Sequence, residues 1–338
     1  MMLKIIRLSH WWSIIPPQIA GWIYYAALRN EQSFLEHEAR NVLLFIAGVI
    51  FIAAFGYLYN DYCDADSDRL ACKKNLLSEK SKVIQLVAVL MPLAAGVSSW
   101  YFVQTNWIAK ALYALQIVAL VVYSARPFRL KNRGAWGVIC DTFYGHVNPA
   151  FFTVFTFYNP FQLMQKTEAL FLLFLLIVTS LKGVRNILLH QLQDRKADRM
   201  AGIQTMVVKQ GALFTLNLIN TLLLYEITFT ALLVIAISTI LPPVLISLLL
   251  FTMFTYLKFS GWKLGYLPRR QLKFKFHYFL NDYYERWLPF FLLLILISQQ
   301  PVFLYLLVLH IIAFPAMITE TMKDLSVIRE NFKTEEDY

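Results

Sequence analysis

The chain has 338 residues, 58% of them hydrophobic and only 15% charged, with 27 Phe and a formal net charge of +10. Soluble domains carry roughly 25% charged residues, so this composition excludes an ordinary water-soluble globule. Cys63, Cys72 and Cys140 show neither CxxC spacing nor partnered histidines, which excludes a disulfide framework and a zinc site.

Apolar runs of about 20 residues recur along the chain, the length a helix needs to cross a roughly 30 Å hydrocarbon layer. Inside lipid, backbone polar groups must pair among themselves, so each run is predicted to be a helix. The runs fall at 10–28, 42–60, 83–104, 107–125, 135–158, 168–190, 212–237, 241–258 and 287–318. The last is too long for one straight span. Gln299-Gln300-Pro301 interrupts it, giving one bent helix or two short ones. The expected fold is all-α and polytopic, with about nine transmembrane helices, or ten if the last run divides. One transmembrane domain is expected over 1–319, followed by a short acidic tail, 320–338. Lys4 and Arg7 precede the first run, which has no small-residue cleavage site and therefore reads as a span.

Lys and Arg in short loops resist translocation, so basic loops mark the cytosol. With the N-terminus inside, Lys4 and Arg7, the loops Arg69–Lys82 and Arg126–Arg133, the region Lys182–Lys209 and the loop Lys258–Arg286 share one side. They hold most of the 31 Lys and Arg. The other side keeps Arg29, Arg40, Lys110 and Lys166, with Lys323, Arg329 and Lys333 of the tail. Charge sorted in this way points to a lipid bilayer as partner, and not to nucleic acid. The basic, aromatic stretch 262–286 is expected to lie along the cytosolic interface. The predicted location is a bacterial inner membrane, with the N-terminus and the ends of spans 2 and 6 in the cytoplasm.

Span 2 runs into Asn60-Asp61-Tyr62-Cys63-Asp64-Ala65-Asp66-Ser67-Asp68. Asn60, Asp64 and Asp68 recur every fourth residue and line one helix face, with Asp66 on the far side. Such stacked oxygens repel one another unless a hard cation such as Mg²⁺ and a phosphate sit among them. The plainer reading is an exposed polar helix end. Span 6 ends similarly: Asp194 and Asp198 share a face and Gly202 terminates the helix, although Arg195 and Arg199 would pair with these acids in a simple amphipathic end. Together the clusters say more than either alone, because both fall at span ends on the cytosolic side. They offer enough oxygen for two Mg²⁺ ions, which would stabilise the charge growing on a departing pyrophosphate.

Asn60-xxx-Asp64-xxx-Asp68 resembles the first aspartate-rich motif of the UbiA prenyltransferase superfamily, and the adjacent Asp61 fits it as well. Asp194-xxx-Asp198-xxx-Gly202-xx-Thr205 resembles the second motif, and Tyr123–Lys131 resembles the basic loop between spans 4 and 5. The resemblance implies nine transmembrane helices around a central cavity that opens to the cytosol and sideways to lipid. It implies Mg²⁺ as cofactor, held by Asn60, Asp64, Asp68, Gln191, Asp194 and Asp198, with Asp64, Asp68, Asp194 and Asp198 catalytic. The substrate would be a prenyl diphosphate, and the prenyl group would pass to an aromatic or lipid-like acceptor. The chain departs from the pattern at two places. Gln191, after His190, stands where the second motif begins with Asp, and Lys73-Lys74-Asn75 stands where Lys-Arg-Pro is usual. Gln191 keeps an amide oxygen for Mg²⁺ but removes a negative charge.

A diphosphate also needs cationic partners, and Arg7, Arg69, Arg126, Arg129 and Lys131 are the candidates. Positive-inside bias alone would also place each of them there. Tyr123 supplies a hydroxyl suited to a cavity wall. In span 5, Asp141, His146 and Asn148 lie roughly 9, 16 and 20 Å in from Ala135. Polar groups at such depth face a cavity or each other. They read either as an acceptor pocket, with Asp141 or His146 taking a proton, or as interhelical hydrogen bonds. Asn281-Asp282-xx-Glu285 reads as a helix cap or interfacial anchor. Two rival functions remain at this stage. One is a terpene cyclase, in which the cation attacks its own chain. The other is a cation or proton transporter, which would place its acids near the bilayer midplane.

Overall fold

The computed structural model describes residues 11–30, 34–70, 75–158, 166–260 and 276–336, so Arg7 and the stretch 261–275 lie outside the described residues. The helices are α1 (Ile15–Arg29), α2 (Phe34–Leu70), α3 (Lys82–Tyr101), α4 (Trp107–Ser124), α5 (135–157), α6 (Lys166–Met200), α7 (Ala212–Ser238), α8 (Val244–Ser260), α9 (279–299), α10 (Leu304–Ala313) and α11 (Ala316–Glu336). Two of them are broken by π-helical turns, Phe143–Val147 in α5 and Tyr283–Trp287 in α9. Proline explains both breaks. Pro149 and Pro289 follow shortly after, and their missing N–H groups interrupt the helical ladder.

Helices α2, α3, α4, α6 and α7 are each long and apolar enough to cross a bilayer, and the bent pair α10–α11 passes the same test as a unit. The figure of nine is not reached by this measure. Helices α1 and α8 have only 15 and 17 residues, and α5 and α9 are divided. The interior is mostly apolar, and much of the outer surface is apolar as well, unlike that of a soluble protein. Helix α3 exposes Leu86, Val87, Leu90 and Met91 while it buries Gln85, whose amide donates to the Lys80 carbonyl at 2.8 Å. Apolar side chains facing outward and satisfied polar groups facing inward are what lipid demands.

The helices pack in a ring, α2 against α3 and α4, α5 against α4 and α6, α6 against α7, α7 against α8, and α8 against α9. Helix α1 lies against α9 and the second half of α5. Helices α2 and α6 have 37 and 35 residues. At about 1.5 Å per residue each outreaches a 30 Å layer by some 20 Å. The aspartate motifs lie in those projecting ends.

One alternative is decided and three expectations are corrected. Of one bent helix or two short ones at Pro301, the structure has two, and the chain reverses between them. Helix α10 runs back along α1, with the Tyr24 hydroxyl 3.1 Å from His310 Nδ1 and the Trp12 indole donating to the Ala313 carbonyl at 2.7 Å. First, the tail is therefore not on the face opposite the basic loops, because Asp324 on α11 binds Lys258 at 2.8 Å and Arg286 at 3.2 Å. Second, the described part of 262–286 is not interfacial. His277, Tyr283 and Tyr284 are buried where α9 enters the bundle. Third, Lys182 and Arg185, counted with the basic residues of the cytosolic side, are 1% and 0% exposed inside the bundle.

Candidate functional site

The loop after α4 carries the basic residues onto the first motif. Lys131 is buried, and its ammonium bonds both Asn60 Oδ1, at 3.0 Å, and Asp64 Oδ1. Arg129 donates to the same Asp64 oxygen at 3.0 Å, and Ser124 donates to Asn60 Oδ1 at 3.0 Å. Arg129 takes a left-handed backbone, φ 37°, which costs a non-glycine residue about 1 kcal/mol or more. Strain of that kind collects at functional sites. Burial pushes the Lys131 ammonium below its usual pKa, against the pull of Asp64. Gly137 makes the loop's position possible: a Cβ there would stand 2.8 Å from the Leu130 carbonyl oxygen.

The same loop reaches the second motif. Gly134 N–H donates to the Gln204 carbonyl at 3.1 Å, in a lone β-bridge with Thr205. Thr205 caps the short helix Met206–Gln210. Both motifs thus sit at one end of the bundle, strapped together by the basic loop. Asp194 is half-buried and Asp198 buried. Gln191 is buried too, and its amide oxygen accepts from the Val207 N–H at 3.4 Å, so it serves the short helix. Asp68 accepts from Asn75 at 2.8 Å, and Asn75 also donates to the Asp61 carbonyl at 2.7 Å. The departure at Asn75 therefore supplies two hydrogen bonds. Arg69 and Arg126 are exposed at this end.

The span-5 residues separate. Asn148 is fully buried and turned to α4, donating to the Leu112 carbonyl at 2.9 Å and to Gln116 Oε1 at 2.7 Å. Gln116 in turn donates to the Tyr144 carbonyl, which Pro149 leaves without its helical N–H. For Asn148 the structure shows an interhelical tie. Asp141 accepts from the Tyr144 hydroxyl, and the Tyr144 ring packs edge-on against Tyr123 at 5.2 Å. His146 lies deeper, against α6. A Cβ on Gly183 would stand 3.0 Å from His146 Cδ2 and 2.7 Å from Thr142 Cγ2.

Sequence reasoning missed a buried charge cluster. Arg185 grips Glu226 with two bonds, 2.6 and 2.8 Å, both residues being fully buried. Lys182 binds Glu285 at 3.0 Å and stands 5.0 Å from the Tyr284 ring centroid. The signal was present in the spacing. Lys182 lies 12 positions before Asp194, about 18 Å deeper along a helix.

Among the described residues no three His, Cys, Asp or Glu side chains converge into a preformed metal cage. The donor set nevertheless suits a hard cation. A positive charge, the Lys131 ammonium, already sits between the Asn60 and Asp64 oxygens. Magnesium typically takes only one or two carboxylates and completes its shell with water and phosphate.

A helical bundle with its apolar residues outward and two strapped acidic motifs at one end is an integral membrane protein with a polar site at its rim. The chain belongs to the UbiA prenyltransferase family, which its residues 14–281 match. No curated protein matches the sequence. Among solved structures, a UbiA homolog from Archaeoglobus fulgidus bound to GPP and Mg²⁺ aligns with TM-score 0.59 and 17% identity, over 87% of this chain and 99% of that one. The same homolog bound to DMAPP and Mg²⁺ aligns at 0.57 and 18%, over 84% and 97%. A digeranylgeranylglyceryl phosphate synthase structure aligns at 0.57 and 17%, over 88% and 98%. These likenesses establish a shared fold.

Proposed function

We propose that the chain is a Mg²⁺-dependent intramembrane prenyltransferase that ionises a prenyl diphosphate at the motif end and passes the prenyl group to an aromatic or lipid-like acceptor. The observation that carries this reading is the single loop whose Lys131 and Arg129 meet Asp64 while its Gly134 is bonded beside Thr205. A UbiA homolog of the same fold holding GPP and Mg²⁺ supports it. Asn60, Asp64, Asp68, Asp194 and Asp198 would hold the metal, with Gln191 positioning the second motif from behind. Bound Mg²⁺ supplies Lewis-acid neutralisation of the leaving group.

In the reaction the allylic C1–O bond breaks, its electron pair leaves with pyrophosphate, and the acceptor bonds to C1 and loses a proton. Arg129 and Lys131 hold diphosphate oxygens through charge-assisted hydrogen bonds, with Arg69 and Arg126 adding charge at the rim and Arg7, outside the described residues, a further candidate by its charge. Tyr123, Tyr144 and Asp141 lead inward from the site and offer the released proton a route. The catalytic unit is 1–319, with 320–338 an appended acidic segment. The motif end faces the cytoplasm of a bacterial inner membrane, where prenyl diphosphates are water-accessible while their tails partition into lipid.

The test is metal-dependent pyrophosphate release by the purified protein in nanodiscs, supplied with geranylgeranyl diphosphate and cell extract. Release that needs both Mg²⁺ and extract is expected. Hydrocarbon formed without extract would replace transfer by cyclisation, and no release with any prenyl diphosphate would end the enzymatic reading.

A further inference from the structure

The buried charges Lys182, Arg185, Glu226 and Glu285, which diphosphate chemistry leaves unused, join α6, α7 and α9. A narrow gap lies between α1, α6, α7 and α9, about 390 Å³ with the open solvent at its mouth included, bordered by Gln18, Trp22, Lys182, Tyr284 and the apolar Leu233 and Leu288. A second, about 220 Å³ counted in the same way, shares Gln18 and Trp22 and is bordered by His146. Both π-helical turns contribute to these borders, one with His146 and the other with Tyr284, while Glu285 beside Tyr284 holds Lys182. Single π turns inside α-helices recur at functional sites.

The two buried cations differ in a way that separates structure from ligand binding. Arg185 has five N–H donors, and all five are used, on Glu226 twice and on the His277 carbonyl, Asn186 and Asn281. Lys182 has three donors and makes one hydrogen bond, to Glu285, while it borders the larger opening. His146 Nδ1 is likewise buried with no hydrogen-bond partner. Unused buried polar capacity is costly, and an arriving polar atom removes that cost.

Charge fixes what that atom belongs to. Lys182 is balanced by Glu285 and Arg185 by Glu226, so the cluster is neutral before anything binds. An anion here would add an uncompensated charge in a water-poor interior. A neutral oxygen accepts from Lys182 without that penalty, and a hydroxyl can donate as well. The prenyl tail offers no such atom. We propose that Lys182, with Glu285 and His146, seats the polar end of an uncharged, largely apolar acceptor bearing a hydroxyl or carbonyl oxygen. This rests on the prenyl-transfer reading and specifies its second substrate. Lys182 stands about 18 Å below Asp194 along α6, so the acceptor is extended, with its reactive carbon toward the motifs.

The full chain in nanodiscs at pH 7 provides the test, with binding read from ligand-dependent thermal midpoints. The probes are 1-naphthol, naphthalene and 1-naphthoate, with geranyl diphosphate plus Mg²⁺ as a separate ligand. The wild type is expected to bind 1-naphthol at least about tenfold more tightly than either comparator, the advantage of one hydrogen bond to a charged group. The double variant Lys182→Met, Glu285→Gln leaves no unpaired charge. It is expected to lose that tenfold preference while keeping its response to geranyl diphosphate. Naphthalene binding as well as naphthol, naphthoate binding better, or an unchanged preference in the double variant each overturns the proposal. If the double variant does not fold, the wild-type ranking of the three probes decides alone. A wild type that ignores geranyl diphosphate refutes the prenyl-transfer reading instead, while the naphthol ranking still decides whether the seat exists.

Discussion

Two groups of acidic and basic side chains in this protein occupy different depths, one on α2 and the loop after α4, the other on α6, α7 and α9. At the rim, Arg129 and Lys131 both bond one oxygen of Asp64. Two cations thus converge there on a single carboxylate oxygen. In the interior, Arg185 and Glu226 are matched one to one with every guanidinium hydrogen placed. The difference shows that charge alone does not mark a site. Saturation marks a structural tie, and incomplete saturation beside space marks a place where something binds.

Experiments can break this contrast, beginning with the largest effect. Arg185→Met leaves Glu226 as an unpaired buried charge and should cost about 3–5 kcal/mol. It should appear as a collapsed thermal midpoint or lost monodisperse yield, and a well-folded variant would show that the interior tie is dispensable. Asp64→Asn should fold normally yet lower pyrophosphate release by roughly 10²–10³-fold, since the rim acts through charge. Lys131→Met removes one charge-assisted hydrogen bond, about 1.5–3 kcal/mol, so kcat/KM for geranylgeranyl diphosphate should fall about ten- to a hundredfold. Gly183→Ala sharpens the comparison between the two depths. Its Cβ would crowd Thr142, and overpacking costs about 1–3 kcal/mol, so stability should drop and acceptor-dependent turnover fall more than metal-dependent binding of geranyl diphosphate. The smallest effect is expected from Asp324→Asn, worth about 1 kcal/mol or less. It should speed hydrogen exchange in 316–329 and leave pyrophosphate release unchanged.

Much of the architecture could be read from residue order, because the bilayer imposes a length and a polarity that sequence records directly. The rim site was legible for the same reason: Asn60, Asp64 and Asp68 repeat with the helical period, and Lys131 follows in the neighbouring loop. What escaped was set by depth and by reversal of the chain. Lys182 and Arg185 fall inside the predicted run 168–190 yet count with the basic residues of the cytosolic side, because α6 continues unbroken into the motif and no polar boundary marks where the membrane ends. Glu285 sits after a cap-like Asn281-Asp282, but the π turn before Pro289 carries it inside. Gln191 reads as a ligand by its position in the motif, and spacing does not reveal that its amide oxygen also accepts from the backbone of the following helix. Asn148 satisfies α4, a pairing that local spacing does not encode.

The reversal at Pro301 has a practical corollary. Because α10 retraces α1 and Asp324 is clasped to Lys258 and Arg286, the described part of α11 packs back on the side of the bundle where α8 ends and α9 begins. A label on α11 at Glu320 would thus report on the same membrane face as one at Lys258.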